Sequence, residues 1–271
     1  MLNKSSLLSA VLAFVDGVTS FRQLSCTTGQ FASLNLRDIH ITSLNVTAAH
    51  NFSTSGRNAT GGVGIIPDIP GTPAPTIDIC LIRVTYTHTG KHDTINTYIG
   101  LPLSPKDWNS RFVMDGGGAY YAGGESEVLS PVLAGYASSS TDGGHDGNAL
   151  TADWGLTIDG KTNWPALKDF SSLAIAEAAK LGQQATKIYY GKDPRYSYWH
   201  GCSTGGRQGH AMAQQYPELF DGIVGGAPAV SWDKFAPAGW WAPFMAQLLG
   251  KFNILGDYYC IRNENLNPNS L

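Results

Sequence analysis

Charge is what this sequence has least of: Asp, Glu, Lys and Arg make up 14% of its 271 residues, and the formal net charge is −3. A nucleic-acid binder needs clustered Lys and Arg to neutralise phosphates, so nothing here gives an electrostatic reason to expect that partner. Long apolar runs are also scarce. Beyond the first 20 residues none is long enough to span a bilayer, and no membrane association is expected. The separations of Cys26, Cys80, Cys202 and Cys260 fit no zinc-site spacing, and neither a metal nor another cofactor is expected. Phosphate-loop signatures are missing too, with no Gly-Lys-Ser/Thr ending and no early Gly-x-Gly-x-x-Gly turn. A nucleotide-binding reading of the glycine-rich stretch around Gly205 therefore rests on fold alone.

What is present suits a globular chain: 42% hydrophobic residues, enough for a core, and 32 glycines that mark many turns. Residues 1–20, MLNKSSLLSAVLAFVDGVTS, carry Lys4, an apolar run from Leu7 to Val15, and the small residues Val18 and Ser20. They read as a signal peptide. Asn45-Val46-Thr47, Asn51-Phe52-Ser53 and Asn58-Ala59-Thr60 follow as three N-glycosylation sequons, so a secreted protein is expected, in a compartment where cysteines pair. Four cysteines allow three fully paired connectivities.

Residues 21–76 read as a loop-rich, glycosylated arm ending in IPDIPGTPAPT. Cys80–Tyr86 and Thr94–Leu103 then read as a hairpin around Thr89–Asp93, because both runs alternate and are rich in β-branched residues. Arg111–Met114 and Tyr136–Thr141 are further short strands. From Trp164 the period changes. Leu167, Phe170, Ala174, Ala178 and Leu181 form one apolar helical stripe, with Asn163 as N-cap and Pro165 in the first turn. Tyr196–His200 reads as a strand, Thr204–Tyr216 as a helix stopped by Pro217, and Ile223–Pro228 as a buried strand. Alternating strands and helices after a hairpin predict an α/β fold with a mostly parallel sheet entered through antiparallel strands. A helix to about Leu249 and an unstructured tail complete the chain.

Within YWHGCSTGGRQG, Gly201-Cys202-Ser203-Thr204-Gly205 is a Gly-x-Ser-x-Gly pattern between a strand and a helix. That context is what a nucleophile elbow requires: a sharp turn exposes the serine, and flanking glycines avoid collision. An acyl-transferring Ser203 also needs backbone N–H donors for the oxyanion. Thr204 supplies one at the helix start. Gly117 and Gly118, on the glycine run Gly116–Gly118 after Met114-Asp115, are the candidates for the other.

WNSRFVMDGGGAYYAGG, GYASSSTDGGH, YWHGCSTGGRQG and QYPELFDGIVGGAPA together resemble the tannase/feruloyl esterase family, and within it secreted fungal feruloyl esterases of the B type. The likeness covers roughly residues 76 to 235. It implies an α/β-hydrolase core with an inserted lid. The implied activity is serine ester hydrolysis on esters of aromatic acids, hydroxycinnamic or gallic, those on plant cell-wall polysaccharide included. In that family a cysteine before the nucleophile pairs with one beside the catalytic histidine; Cys202 matches the first half of that pattern, and its family partner is absent. With Cys202 so assigned, Cys26–Cys80 is the expected pair, leaving Cys202 and Cys260 free or joined.

The acid and base are not recognisable. In this fold they follow the serine along the chain. The only later histidine, His210, stands two helical turns on, about 10 Å along the axis. That is beyond the reach a base needs. His88, His92, His145 and His200 precede the serine; His145, on a loop at a strand end, reads as structural or substrate-facing. Asp221, Asp233 and Asp257 follow it without a histidine to orient. The family's lid calcium loop is not recognisable around Cys260. The expected organisation is a signal peptide at 1–20, the arm at 21–76, a partial α/β-hydrolase core at 77–235 and the start of a lid with an unstructured tail at 236–271. The lid and the C-terminal part of the core are expected to be missing. Two functions compete: an active serine ester hydrolase, and a truncated, non-catalytic family member.

Overall fold

The computed structural model describes residues 25–54, 74–145 and 152–249. The expected signal peptide, the Asn58 sequon, Asp257, Cys260 and the expected tail lie outside them.

Among the described residues, seven strands form one sheet in the order β1-β2-β3-β5-β4-β6-β7. They are β1 (Ile39–Ser53), β2 (Thr76–His88), β3 (Ile95–Pro102), β4 (Arg111–Asp115), β5 (Ala137–Thr141), β6 (Tyr196–Cys202) and β7 (Gly222–Gly226). The residues read as a loop-rich arm therefore contain the longest strand. Its Asn, Ser, Thr and His content disguises it. β1 is an edge strand with one neighbour, so its outer face stays polar while Ile39, Ile41, Leu44 and Val46 join the core. Because β1 is added to the β2–β3 hairpin and β3 pairs antiparallel with β5, the sheet is half antiparallel rather than mostly parallel. The β5–β4, β4–β6 and β6–β7 pairings are parallel.

Helix α1 (Leu129–Leu133) packs Val128 and Val132 against Gly100 of β3, where an added Cβ would meet them at 3.1 and 2.9 Å. The stripe expected as one helix is two, α2 (Trp164–Ser171) and α3 (Leu173–Tyr190). Asn163 caps the first as its Oδ1 accepts the Ala166 N–H. The break is Ser172, whose φ of −163° leaves the helical region and whose hydroxyl donates to Gln215 Oε1. Periodicity misses it because the apolar stripe continues across a single non-helical residue. α3 ends where Gly191 adopts φ 73° and caps it. With α4 (Thr204–Gln215) it covers one face of the sheet. The core runs through Phe112, Met114 and Trp199 of the central strands, all essentially inaccessible.

β7 corrects the expectation of a buried strand. It is half-buried, with Val224 60% exposed, because among the described residues no element covers that face. Helix α5 (Trp232–Leu248) presents Phe235, Trp240, Trp241 and Phe244 to solvent. Among the described residues no helix is long and apolar enough to cross a membrane. Cys26 and Cys80 form a disulfide, and Cys202 is free and exposed.

Candidate active site

β6 runs straight into α4, and Ser203 is the single residue between them, at φ 58° and ψ −117°. An L-residue is strained there, so the turn persists only because its surroundings fix it. They do so by backbone hydrogen bonds. Ser203 N–H donates to Gly226 O at 3.1 Å, while Ser203 O accepts from Arg207 N–H at 3.0 Å and Ala229 N–H at 3.1 Å. The flanking glycines are needed for approach: a Cβ on Gly201 would stand 2.6 Å from the carbonyl carbon of Gly205. The result is an exposed serine at the N-terminus of a helix, followed by a buried Thr204. Among the described residues no backbone carbonyl accepts the Thr204 N–H, which as a first-turn amide has no acceptor within the helix.

The loop after β4 lies against this turn. Gly116 N–H donates to His200 O, and Gly205 N–H to Gly117 O, each at 3.0 Å. Gly117 cannot serve as an oxyanion donor, because its own N–H is bound to Gln208 Oε1 at 3.0 Å. The fully buried Gln208 passes its amide hydrogen on to Ala122 O at 2.9 Å, so it pins both ends of the loop. Gly118 is buried and does not line the cavity at Ser203 either. That cavity holds about 350 Å³ and is bounded by Ala119, Tyr120, Ser203, Thr204, Ala229 and the first two turns of α5. Ala119 (φ 51°) and Tyr120, rather than the expected Gly117 and Gly118, therefore border Ser203. The Thr204 hydroxyl, donating to Ala119 O, holds them there. Tyr120, Trp232, Phe235 and Trp240 make the wall aromatic, and Tyr120 meets Trp232 edge-on at 5.7 Å. Sequence reading missed these four, although the density of Trp and Phe after Ser231 was a signal.

No histidine or carboxylate is hydrogen-bonded to Ser203 Oγ among the described residues. His210 is bound to Gly206 O at 2.9 Å, as its place two turns along the helix requires. His145 stacks on Trp154 with ring centroids 4.2 Å apart, in a cluster with Phe170. Asp221 caps a strand, accepting the Ser197 N–H at 2.7 Å. Asp233 sits exposed in the first turn of α5. His200, beside the elbow on β6, pairs its Nδ1 with Asp115 Oδ1 at 3.1 Å. That hydrogen bond raises the imidazole above its usual value, and burial raises Asp115. The pair opens onto the uncovered sheet face with Tyr198 and Val224, a different cavity from that of Ser203. Arg207 is spent on structure. Its guanidinium lies over the Phe170 ring and donates to Phe170 O and Ser171 O, closing the end of α2, and burial lowers it to about 10.

His88 lies among carboxylates on the far side of the hairpin. Its Nδ1 is 2.6 Å from Asp93 Oδ2, and its Nε2 is 3.0 Å from Glu177 Oε1. Tyr86 donates to Glu177 Oε2 at 2.8 Å. None of these lines the Ser203 cavity.

The tannase and feruloyl esterase family model matches residues 81–247. A probable feruloyl esterase of Arthroderma benhamiae is 40% identical over 222 residues, 80% of this chain and 41% of that protein. The tannase of Aspergillus oryzae is 35% identical over 158 residues, 57% of this chain and 26% of that protein. Among solved structures, the tannin acyl hydrolase from Aspergillus niger superimposes with a TM-score of 0.63 at 30% identity, over 76% of this chain and 37% of that one. This chain thus spans about two fifths or less of the length of these relatives. Its elbow, its glycine loop and strands β3 to β7 fall inside the matched region, and the chain belongs to the tannase and feruloyl esterase family of carboxylic ester hydrolases.

Proposed function

We propose that this chain carries the nucleophile and oxyanion elements of a secreted carboxylic ester hydrolase. Its substrates would be esters of aromatic acids, hydroxycinnamic or gallic, those on plant cell-wall polysaccharide included. The observation that carries the reading is Ser203, held strained and exposed at the mouth of an aromatic-walled cavity of about 350 Å³. A planar acyl group suits the wall of Tyr120, Trp232, Phe235 and Trp240, since aromatic rings gain both burial and edge or face contacts. Ser203 Oγ adds to the ester carbonyl. The oxyanion is held by the Thr204 N–H and a second amide on the Ala119–Tyr120 turn. Collapse expels the alcohol, and water then releases the acid from the acyl-enzyme. Among the described residues no side chain stands at Ser203 Oγ to take its proton, so the proton reaches the departing alcohol through water, and acylation is expected to be slow. Secretion is supported by the disulfide and by the sequons at Asn45 and Asn51, both exposed on edge strand β1.

A p-nitrophenyl ester of ferulic acid tests the reading directly, because its leaving group needs no general acid. Intact-mass and peptide mapping after incubation are expected to find one feruloyl group on Ser203, with none on Ser203→Ala. No adduct, or an adduct on the neighbouring Cys202, would sink the proposal.

A further inference from the structure

Away from Ser203, three segments bring acidic groups to one imidazole at the end of a fourth. His88 ends β2, Asp93 lies in the turn before β3, Asp169 is on α2 and Glu177 on α3. Ligand atoms of His88, Asp93 and Asp169 all lie within 4.8 Å of one another. Asp93 is already held, its Oδ1 accepting from the Thr87 hydroxyl and the His88 N–H. Asp169 is the anomaly. It is 2% exposed, yet it accepts no hydrogen bond among the described residues; its nearest cationic atom, His88 Nδ1, is 4.0 Å away and already faces Asp93. Leaving a carboxylate buried without a partner is costly. Arg37, Lys91, Lys168 and Lys180 line the adjoining cavity of about 830 Å³, but none of them ion-pairs with Asp169.

Two things can relieve Asp169: a proton of its own, or a positive ion shared with Asp93 and Nδ1. A proton on Nδ1 satisfies Asp93 alone, whereas a divalent cation satisfies all three groups. We propose that His88 Nδ1, Asp93 and Asp169 bind one divalent first-row transition cation of the zinc type, with Glu177 holding the imidazole from behind. Ligand atoms about 2.1 Å from a tetrahedral ion stand roughly 3.4 Å apart; the separations at Nδ1 are 2.6 and 4.0 Å and all three lie within 4.8 Å, so closure needs shifts of no more than about 1.5 Å. Nε2–H donating to Glu177, itself fixed by Tyr86, is the carboxylate–imidazole support that metal-bound histidines use. One imidazole with two carboxylates favours zinc-type ions over calcium, which takes oxygen ligands. Asp169 borders two cavities, giving the ion a way in. The bound cation would tie the β2–β3 hairpin to α2. Sequence spacing offers no hint of it, because Asp169 lies far along the chain from His88 and Asp93.

The test is calorimetric titration of the chelator-stripped chain with Zn²⁺ at neutral pH, with thermal melts alongside. Expected are one ion per chain and a raised melting temperature. Asp169→Asn should weaken binding roughly tenfold or more and abolish the rise, while Cys202→Ser keeps both. Should Asp169→Asn not fold, Co²⁺ on the unaltered chain decides: the expected visible spectrum is that of nitrogen and oxygen ligands. The proposal is overturned by no binding, by a preference for Ca²⁺, by binding indifferent to Asp169→Asn, or by a thiolate charge-transfer band assigning the ion to Cys202.

Discussion

Ser203 holds a backbone conformation that costs an L-residue about 1–3 kcal/mol and glycine almost nothing. Glycine also gives up more freedom on folding, which offsets part of that gain. Ser203→Gly is therefore expected to raise the unfolding free energy by about 1 kcal/mol in urea titrations while ending acylation. A loss of stability instead would show that the turn is not strained. The serine itself was legible, because an elbow is a fixed local pattern in which each residue has one steric reason. The residues that border it were not. Gly117 fits the local pattern equally well, and only the side chain of Gln208, 91 residues away, takes its N–H out of use.

Among elements, β1 and its attachment decide how the sheet begins. The disulfide joins the segment before β1 to the middle of β2 across a separation of 54 residues. In the chain-entropy picture, removing a cross-link of that span costs about 4 kcal/mol, within a usual range of about 2–5. Cys26→Ser should show a loss of this order in denaturant unfolding under oxidising conditions; an unchanged midpoint would mean that the unfolded chain is already restricted there. The hairpin and the helices after Trp164 and Thr204 were legible from period and capping signals. β1 was not, since an edge strand exposes one face and carries the polar residues of a loop. The break at Ser172 was hidden too, as a single non-helical residue leaves the apolar stripe in phase.

For the whole molecule, the uncovered sheet face makes stability depend on pH. His200 is bonded to Asp115 there, and its pKa in the fold lies above the usual 6.5. A group held more basic in the folded state stabilises it below its unfolded pKa and loses that contribution as pH rises through the folded value. Asp115, raised by burial, acts in the same direction at lower pH. The melting temperature is expected to fall as pH rises beyond about 6.5, and His200→Gln to remove the part of that fall owed to the imidazole; identical profiles would refute the assignment. By itself the sequence determined the α/β order of elements, the elbow and the family, because these are written in short periods and in residues a few positions apart. Tertiary structure alone decided that Ala119 and Tyr120 rather than Gly117 border Ser203, that α5 supplies its aromatic wall, and that His88 meets Asp169 and Glu177. Those meetings join residues some 80 or more positions apart or on separate elements, and no local spacing encodes which side chains the packed core brings together.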